Sequence, residues 1–264
     1  MHIPKTAGQS VHRFLESFVP PERVAPARIN SQLVMMSIRE MRRYQLFSGH
    51  LDWSLLDCLD GPVFTFSILR EPVSRIVSFY LYLLREAKAL SPEELRLPQN
   101  VGPRVILELS CDQYFSEGPP RIRTFLDNHY NNFYAYYFAG RRFDAREELT
   151  NQQMVDKSFT DEKIVDMACE NIRLLNAVYS VDALHHLERD IRTLIGTNKA
   201  APSLVELREN AWDSRNMDER MAQLEKLGAT EVTFRKIREM TVLDQEIWKR
   251  FGQQSEAPKL EAAS

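Results

Sequence analysis

The sequence has few cysteines and no long apolar run, and each shortage excludes a class of protein. The three cysteines, Cys58, Cys111 and Cys169, are odd in number, widely spaced and without a C-x-x-C pair. This argues against a disulfide framework or a zinc site and favours reduced thiols in a cytoplasmic protein. No apolar stretch approaches the ~20 residues of a membrane span. Charged and polar residues begin by Lys5, so we expect no signal peptide.

The charge is nearly balanced overall but uneven along the chain. A net charge of -3 gives no basic field for nucleic acid, so no nucleic-acid partner is predicted. The first 50 residues carry 7 Lys and Arg against 3 Asp and Glu, which suits an anionic ligand, although chance unevenness is an open alternative. With 44% hydrophobic and 27% charged residues, the composition predicts a globular protein with a sizeable core. We expect one domain at 1–252 and a disordered tail at 253–264.

Strand and helix patterns alternate, and they predict an α/β fold in which helices flank a central parallel sheet. Strands are predicted at Pro62–Leu69 and Ala177–Val181, with strand ends at Met1–Pro4 and Gln45–His50. Helices are predicted from Gly8 to a stop at Pro20, and at Ser31–Arg43, Pro72–Ala89, Asn131–Gly140, Asp161–Leu175, Leu184–Ile195 and Thr230–Phe251. A helical turn is expected at Asp52–Leu59, and loops with short helices at Ser91–Pro120. Ligands of such sheets bind at the carboxyl ends of the strands.

A candidate phosphate loop lies at Pro4–Ser10, between a strand end and a helix. Backbone N–H groups at a helix start bind anions, and Gly8 permits close approach. The predicted ligand-binding residues are Lys5, Thr6, Ala7, Gly8, Gln9 and Ser10. Lys5 precedes the glycine, unlike the late lysine of nucleotide hydrolases, and no strand ends in an acidic residue, so no metal is predicted. An ordinary strand–turn–helix with a capping serine is the alternative.

A second motif follows the Pro62–Leu69 strand. Arg70 lies at its carboxyl end, and Ser78 lies on the next helix. An arginine fork and a serine hydroxyl can both donate to phosphate oxygens. Taken alone, the motif favours the alternative that Arg70 pairs with Glu71 or Glu86 on the surface and that Ser78 is a small residue packed against a neighbour.

Together the two motifs resemble the carbohydrate sulfotransferases that include the heparan sulfate and uronyl 2-O-sulfotransferases and their bacterial relatives. The matching residues are His2-Ile3-Pro4-Lys5-Thr6-Ala7-Gly8-Gln9-Ser10, and Arg70, Pro72, Arg75, Ser78 and Tyr80. The resemblance implies a P-loop sulfotransferase fold, with its first strand truncated here. It also implies that the loop binds the 5′-phosphosulfate of 3′-phosphoadenosine 5′-phosphosulfate (PAPS) and that Arg70 and Ser78 bind its 3′-phosphate.

The implied reaction is an in-line, metal-free transfer of a sulfuryl group to a hydroxyl of a carbohydrate or glycoconjugate acceptor. Lys5 is the candidate for neutralising charge on the leaving phosphate. His50 is the candidate base, because the family uses a histidine in the segment that corresponds to Gly49–Trp53. Asp52 or Glu71 is the alternative base. His2 is expected to pack under the loop.

Two other functions stay open at this point: a P-loop phosphotransferase using ATP and magnesium, and a non-catalytic protein that binds PAPS or a nucleotide.

The nearly absent first strand suggests that the true gene start lies upstream of Met1. Trp53, Tyr134, Tyr136 and Tyr137 could stack on a sugar or fill the core. Neither the acceptor nor the oligomeric state is specified by any motif.

Overall fold

The computed structural model describes residues 2–53, 57, 59, 61–196, 202–209 and 216–253. The protein is mostly helical with a small parallel sheet, so the predicted mixed α/β class is confirmed. The helices are α1 (Gly8–Glu16), α2 (Asn30–Leu33), α3 (Ile38–Met41), α4 (Pro72–Lys88), α5 (Pro92–Leu95), α6 (Val101–Glu108), α7 (Cys111–Ser116), α8 (Pro120–His129), α9 (Phe133–Gly140), α10 (Ala145–Val155), α11 (Asp161–Ile172), α12 (Leu184–Ile195), α13 (Leu204–Glu209), α14 (Met217–Lys226), α15 (Glu231–Glu239) and α16 (Val242–Ile247). The strands are β1 (Phe66–Leu69) and β2 (Ala177–Ser180), and short 3₁₀ helices lie at Pro21–Arg23, Pro98–Asn100 and Val181–Ala183.

The chain divides into two compact units. The first unit comprises residues 1–70, 134–214 and 246–264, and the second comprises residues 71–133 and 215–245. The assignment of 1–252 to one domain stays a prediction, and residues 254–264 of the predicted tail lie outside the described residues. None of the described helices has the length and apolar character needed to cross a bilayer.

In the first unit, β1 and β2 pair in parallel, with Phe66 opposite Ala177 and Leu69 opposite Ser180. The described part of the chain contains only these two strands, and a broader P-loop sheet stays a prediction. The predicted strand from Pro62 is observed only from Phe66. At its start, the Asn176 side chain accepts hydrogen bonds from the Thr65 N–H and hydroxyl, and the Thr65 carbonyl accepts from the Ala177 N–H at 3.2 Å.

The core of the first unit explains why the loop before α1 lies beside the end of β1. Apolar side chains from α1, both strands, α12 and α13 form one buried cluster, which includes Phe14, Ile68, Tyr179, Leu187 and Leu204. Burying apolar surface contributes about 25 cal/mol per Å², and this free energy holds these elements together. The carboxyl end of β1 therefore delivers Arg70 to the region of α1.

Between α1 and β1 the chain forms short pieces, which corrects the predicted helix over Ser31–Arg43. Two one-turn helices, α2 and α3, replace it, because Ser37 and Glu40 form a capping box that starts a new helix. The predicted strand end at Gln45–His50 appears as isolated parallel bridges, Val24 with Leu46 and Ile29 with His50. Of the turn predicted at Asp52–Leu59, only residues 52, 53, 57 and 59 are among those described.

The second unit is helical. The short helices expected over Ser91–Pro120 are confirmed as α5, α6 and α7, whereas α8 and α14 were not predicted. Side chains from α4, α6, α7, α8, α14 and α15 bury one cluster that includes Ile76, Tyr80, Phe115, Leu126 and Leu224. The predicted single helix over Thr230–Phe251 is wrong, because α15 ends at Glu239, α16 begins at Val242 and a π-helix covers Trp248–Gly252.

Candidate active site

The Pro4–Ser10 segment forms a tight loop leading into α1. Lys5 and Ala7 both have left-handed backbones, with φ of 72° and 61°. Non-glycine residues hold this conformation at a cost of about 1–3 kcal/mol, and such strain concentrates at functional sites. The Thr6 hydroxyl is fully buried and donates to the Ile3 carbonyl at 2.8 Å, so it braces the loop from inside.

The start of α1 has the properties of an anion site. Its N-cap residue, Ala7, makes no side-chain capping bond, and no acidic residue lies in the first turn. The first-turn N–H groups, at Gly8, Gln9 and Ser10, belong to the part of a helix that lacks intrahelical acceptors and carries the positive end of the dipole. Alternating left-handed and helical backbone also forms a concave nest of N–H donors. This donor set fits a phosphate or sulfate group.

Arg70 lies beside this loop. Its Nη1 donates to the Lys5 carbonyl oxygen at 3.4 Å. Its backbone is fixed by the Tyr134 hydroxyl, which accepts from the Arg70 N–H at 3.1 Å and donates to the Arg70 carbonyl at 2.9 Å. The structure therefore brings together Arg70 and the loop, two features that are 60 residues or more apart in sequence. The Ser10 hydroxyl donates to the Leu207 carbonyl of α13 at 3.3 Å.

His50 reaches the same region through His2. The two imidazole rings stack with centroids 4.4 Å apart and an interplanar angle of 17°. Nδ1 of His50 lies 2.7 Å from the His2 carbonyl oxygen. A carbonyl can only accept, so Nδ1 carries the proton and Nε2 keeps its lone pair.

Burial controls the charge of both rings. Desolvation lowers the pKa of His50, the hydrogen bond to the His2 carbonyl opposes this shift, and the positive charge of Arg28 lowers the pKa further. Desolvation, with His50 and Arg28 nearby, holds the pKa of His2 well below its ordinary value. Both imidazoles are therefore neutral at neutral pH, and His50 has the protonation state of a general base.

The family model described as "Sulfotransferase family" matches residues 1–161, which is more than half of the 264 residues. The chain belongs to the sulfotransferase family. Neither the curated proteins nor the solved structures contain a match to it. Membership makes the protein a transferase of sulfuryl groups, and the matched range includes the loop, His50, Arg70 and Ser78.

In this sulfotransferase Ser78 lies on α4, in the second unit, and its side chain is buried. The neighbouring motif residue Arg75 is fully buried in that unit. It donates to the His129 carbonyl at 3.0 Å and lies 4.0 Å from the Asp244 carboxylate. Arg75 is therefore part of the interior of the unit. The shared contact of Arg70 and Ser78 with one phosphate stays a prediction.

The two carboxylates considered as alternative bases both have structural partners. Asp52 accepts from the Phe143 N–H at 2.8 Å and from the Asn30 side chain, and burial raises its pKa despite these bonds. Glu71 caps α4 by accepting from Val73 and Ser74 N–H groups, and it also accepts from Gln245. Both carboxylates are therefore engaged in structural contacts, and His50 as the base stays a prediction.

The aromatic residues that could have stacked on a sugar are packed in the interior. Tyr134, Tyr136 and Tyr137 are at most 8% exposed. Trp53 is 4% exposed, with the Arg141 guanidinium 4.5 Å above its ring. Of the two alternatives left open by the sequence, core packing is the one observed.

Arg28 is a site residue that the sequence analysis missed. Its carbonyl oxygen accepts from the His50 N–H at 2.8 Å. A Cβ on Gly49 would lie 2.3 Å from that oxygen, so the glycine permits the approach. Nη1 of Arg28 is buried and has no hydrogen-bond partner within the described ranges. The glycine before His50 was a usable signal, but no spacing rule indicated Arg28 itself.

Within the described residues, no group of three or more His, Cys, Asp or Glu side chains could hold a metal.

Proposed function

We propose that the protein transfers a sulfuryl group from PAPS to a hydroxyl of a carbohydrate or glycoconjugate. The observation that carries this proposal is the uncapped start of α1, with Lys5 in the loop and Arg70 held against it. The anion-binding start of α1 suits one anionic group of the donor, and the Arg70 guanidinium suits a second. When bound, PAPS supplies the sulfuryl group.

The loop acts on the donor side of the reaction. The first-turn N–H groups of α1 hold the 5′ anionic end, since they point at the ligand and carry the positive end of the helix dipole. Lys5 neutralises the charge that grows on the leaving phosphate oxygen. Preorganised positive groups of this kind stabilise a transition state without having to reorganise.

His50 acts on the acceptor side. Its Nδ1 proton is engaged by the His2 carbonyl, so Nε2 is the atom that takes the proton of the acceptor hydroxyl. The lowered pKa keeps that nitrogen free of a proton at neutral pH. Because Nδ1–H already has an acceptor, the ring stays oriented through the transfer.

Arg70 and Ser78 bind the 3′-phosphate, as the family resemblance implies. A guanidinium gives a planar fork for phosphate oxygens, and a serine hydroxyl adds a further donor. A carbohydrate acceptor is likewise proposed from the resemblance alone, because Trp53, Tyr134, Tyr136 and Tyr137 are packed in the interior.

Thermal shift separates this proposal from its alternatives. PAP, the desulfated donor product, should raise the unfolding temperature, and ATP with Mg²⁺ at the same concentration should raise it much less. A larger shift with ATP and Mg²⁺ would favour a phosphotransferase. His50→Ala should abolish PAPS turnover while retaining the shift with PAP, with His185→Ala as the matched control. Binding of PAP without turnover on any acceptor would indicate a non-catalytic binding protein.

A further inference from the structure

We propose that His2 is a positioning residue that fixes His50 relative to the anion-binding loop. The catalytic role of His2 rests on the proposed function, whereas its contacts with the loop and with His50 do not. His2 is one of five histidines to which the sequence assigned no chemical role. It contacts both parts of the candidate active site: the loop through its ring, and the Gly49–His50 segment through its ring and its backbone.

The first contact joins His2 to the start of α1. A Cβ built on Gly8 would lie 1.4 Å from Nε2 and 1.7 Å from Cδ2 of the His2 ring. The ring therefore occupies the space that any larger residue at position 8 would need. A glycine in the loop thus serves this packing as well as the approach of an anion.

The second contact joins His2 to the Gly49–His50 segment at three points. The His2 N–H donates to the Gly49 carbonyl at 3.0 Å, and the His2 carbonyl accepts from His50 Nδ1 at 2.7 Å. The imidazole stacks on the His50 ring at 4.4 Å. The backbone bond to Gly49 fixes the position of the segment, whereas the bond from His50 Nδ1 and the stack fix the His50 ring.

The charges around His2 favour a permanent contact. Besides burial, His50, Arg28 and His12 all lower the pKa of His2. His12 in turn pairs with Glu16 at 2.8 Å. A neutral His2 ring stacks on a neutral His50 ring without like-charge repulsion. One residue therefore holds both the loop and the base, and moving its ring would move their relative position.

The direct test is the imidazole ¹⁵N spectrum of the full chain without ligand. Wild-type His50 should show a protonated Nδ1 and an unprotonated Nε2. His2→Ala keeps the carbonyl that accepts from Nδ1 but removes the stacked ring. It should therefore shift and broaden the His50 ring signals, while the matched control His185→Ala should leave them unchanged. An unchanged His50 signal in folded His2→Ala would overturn the proposal. If His2→Ala fails to fold, His2→Leu removes the ring while filling part of its space.

A double-mutant cycle tests the link to the loop. Gly8→Ala should displace the His2 ring and produce the same His50 spectral shift as His2→Ala. Adding Gly8→Ala to His2→Ala should cause no further shift, because the displaced ring is already absent. Equal and additive shifts, or no effect of Gly8→Ala on His50, would refute the coupling. These readouts need neither PAPS nor an acceptor, so they stand even if the proposed function fails. If it holds, His2→Ala should lower kcat by about 100-fold, as misplacement of a base by about 1 Å does.

Discussion

Nη1 of Arg70 lies 3.4 Å from the carbonyl oxygen of Lys5. The arginine follows a buried strand and the lysine precedes the first helix, so the contact joins the loop to the first residue of the second motif within one compact unit. Lys5 itself has a left-handed backbone, with φ of 72°. Two cationic residues therefore lie next to an uncapped helix start, which is the arrangement expected around a ligand with several anionic groups.

Arg70→Ala should weaken binding of PAP by about tenfold or more, because a charge-assisted hydrogen bond contributes about 1.5–3 kcal/mol. Adenosine 5′-monophosphate, which lacks the 3′-phosphate, should lose much less affinity. Isothermal titration calorimetry with both ligands measures this difference. Arg39→Ala, on the exposed surface of α3, is the matched control. Equal losses for the two ligands would assign Arg70 to the loop and not to the 3′-phosphate.

Ser78→Ala should also weaken PAP binding, by about fivefold, because a hydroxyl donor to a charged oxygen is lost. Ser74→Ala makes the same chemical change one turn earlier on α4 and should leave the affinity near wild type. The same calorimetric comparison measures both variants. If Ser74→Ala and Ser78→Ala behave alike, Ser78 is not a phosphate ligand.

The acidic limb of the kcat/KM profile should lie below the ordinary histidine pKa of ~6.5, because burial lowers the pKa of His50. The base is active above its pKa, so turnover should persist at weakly acidic pH and fall as pH drops through the lowered value. Arg28→Gln removes a positive charge near His50, which favours the imidazolium and should move the limb to higher pH. Arg39→Gln should not move it. If Arg28→Gln leaves the acidic limb unchanged, the charge of Arg28 does not affect the pKa of the base.

Asp112→Ala should lower the free energy of unfolding by about 2 kcal/mol at pH 7. Partial burial raises the pKa of Asp112, but hydrogen bonds from Thr233 and Thr230 outweigh this and lower it to about 2. Because the folded pKa is depressed, the stabilisation is present above the unfolded pKa of ~3.9 and is lost as pH falls toward about 2.

Urea unfolding at pH 7 and pH 3 tests the direction of this pH dependence. The difference between wild type and Asp112→Ala should shrink at the lower pH. Asp127→Asn, an exposed carboxylate on α8, should show no such change. A difference that stays constant between the two pH values would mean that the Asp112 contacts do not depend on its charge.

The sequence predicted elements that carry their own periodicity. The helix over Leu184–Ile195 was predicted with its observed bounds, and the start of α4 at Pro72 follows from the preference of proline for the first helical turn. The break at Ser37 also had a sequence signal, the Ser37–Glu40 capping box, which was missed.

The break between α15 and α16 had no local signal. Asn132, with φ of 49°, donates its N–H to the Met240 carbonyl at 2.6 Å and accepts from the Leu243 N–H at 2.8 Å. A residue more than a hundred positions earlier thus satisfies the groups that a continuous helix would have paired. Apolar periodicity continues across the break, so the pattern predicted one helix.

The candidate site also contains some residues that the sequence predicted and others that it did not. Residue chemistry and order along the chain predicted the loop and Arg70, and the family resemblance predicted His50; their roles stay predictions. His2 and Arg28 were missed as partners of His50, because their contacts depend on close backbone packing between distant segments. Glycines at positions 8 and 49 marked those contacts, but a glycine alone does not say what approaches it.

The most direct test of the account is mass spectrometry of hydroxyl-bearing glycan acceptors incubated with PAPS and the full chain. The account predicts a sulfated acceptor with matching formation of PAP, and loss of both in Lys5→Ala. Lys88→Ala, at the end of α4, should retain them. Acceptors phosphorylated from ATP and Mg²⁺, with PAPS left intact, would contradict it.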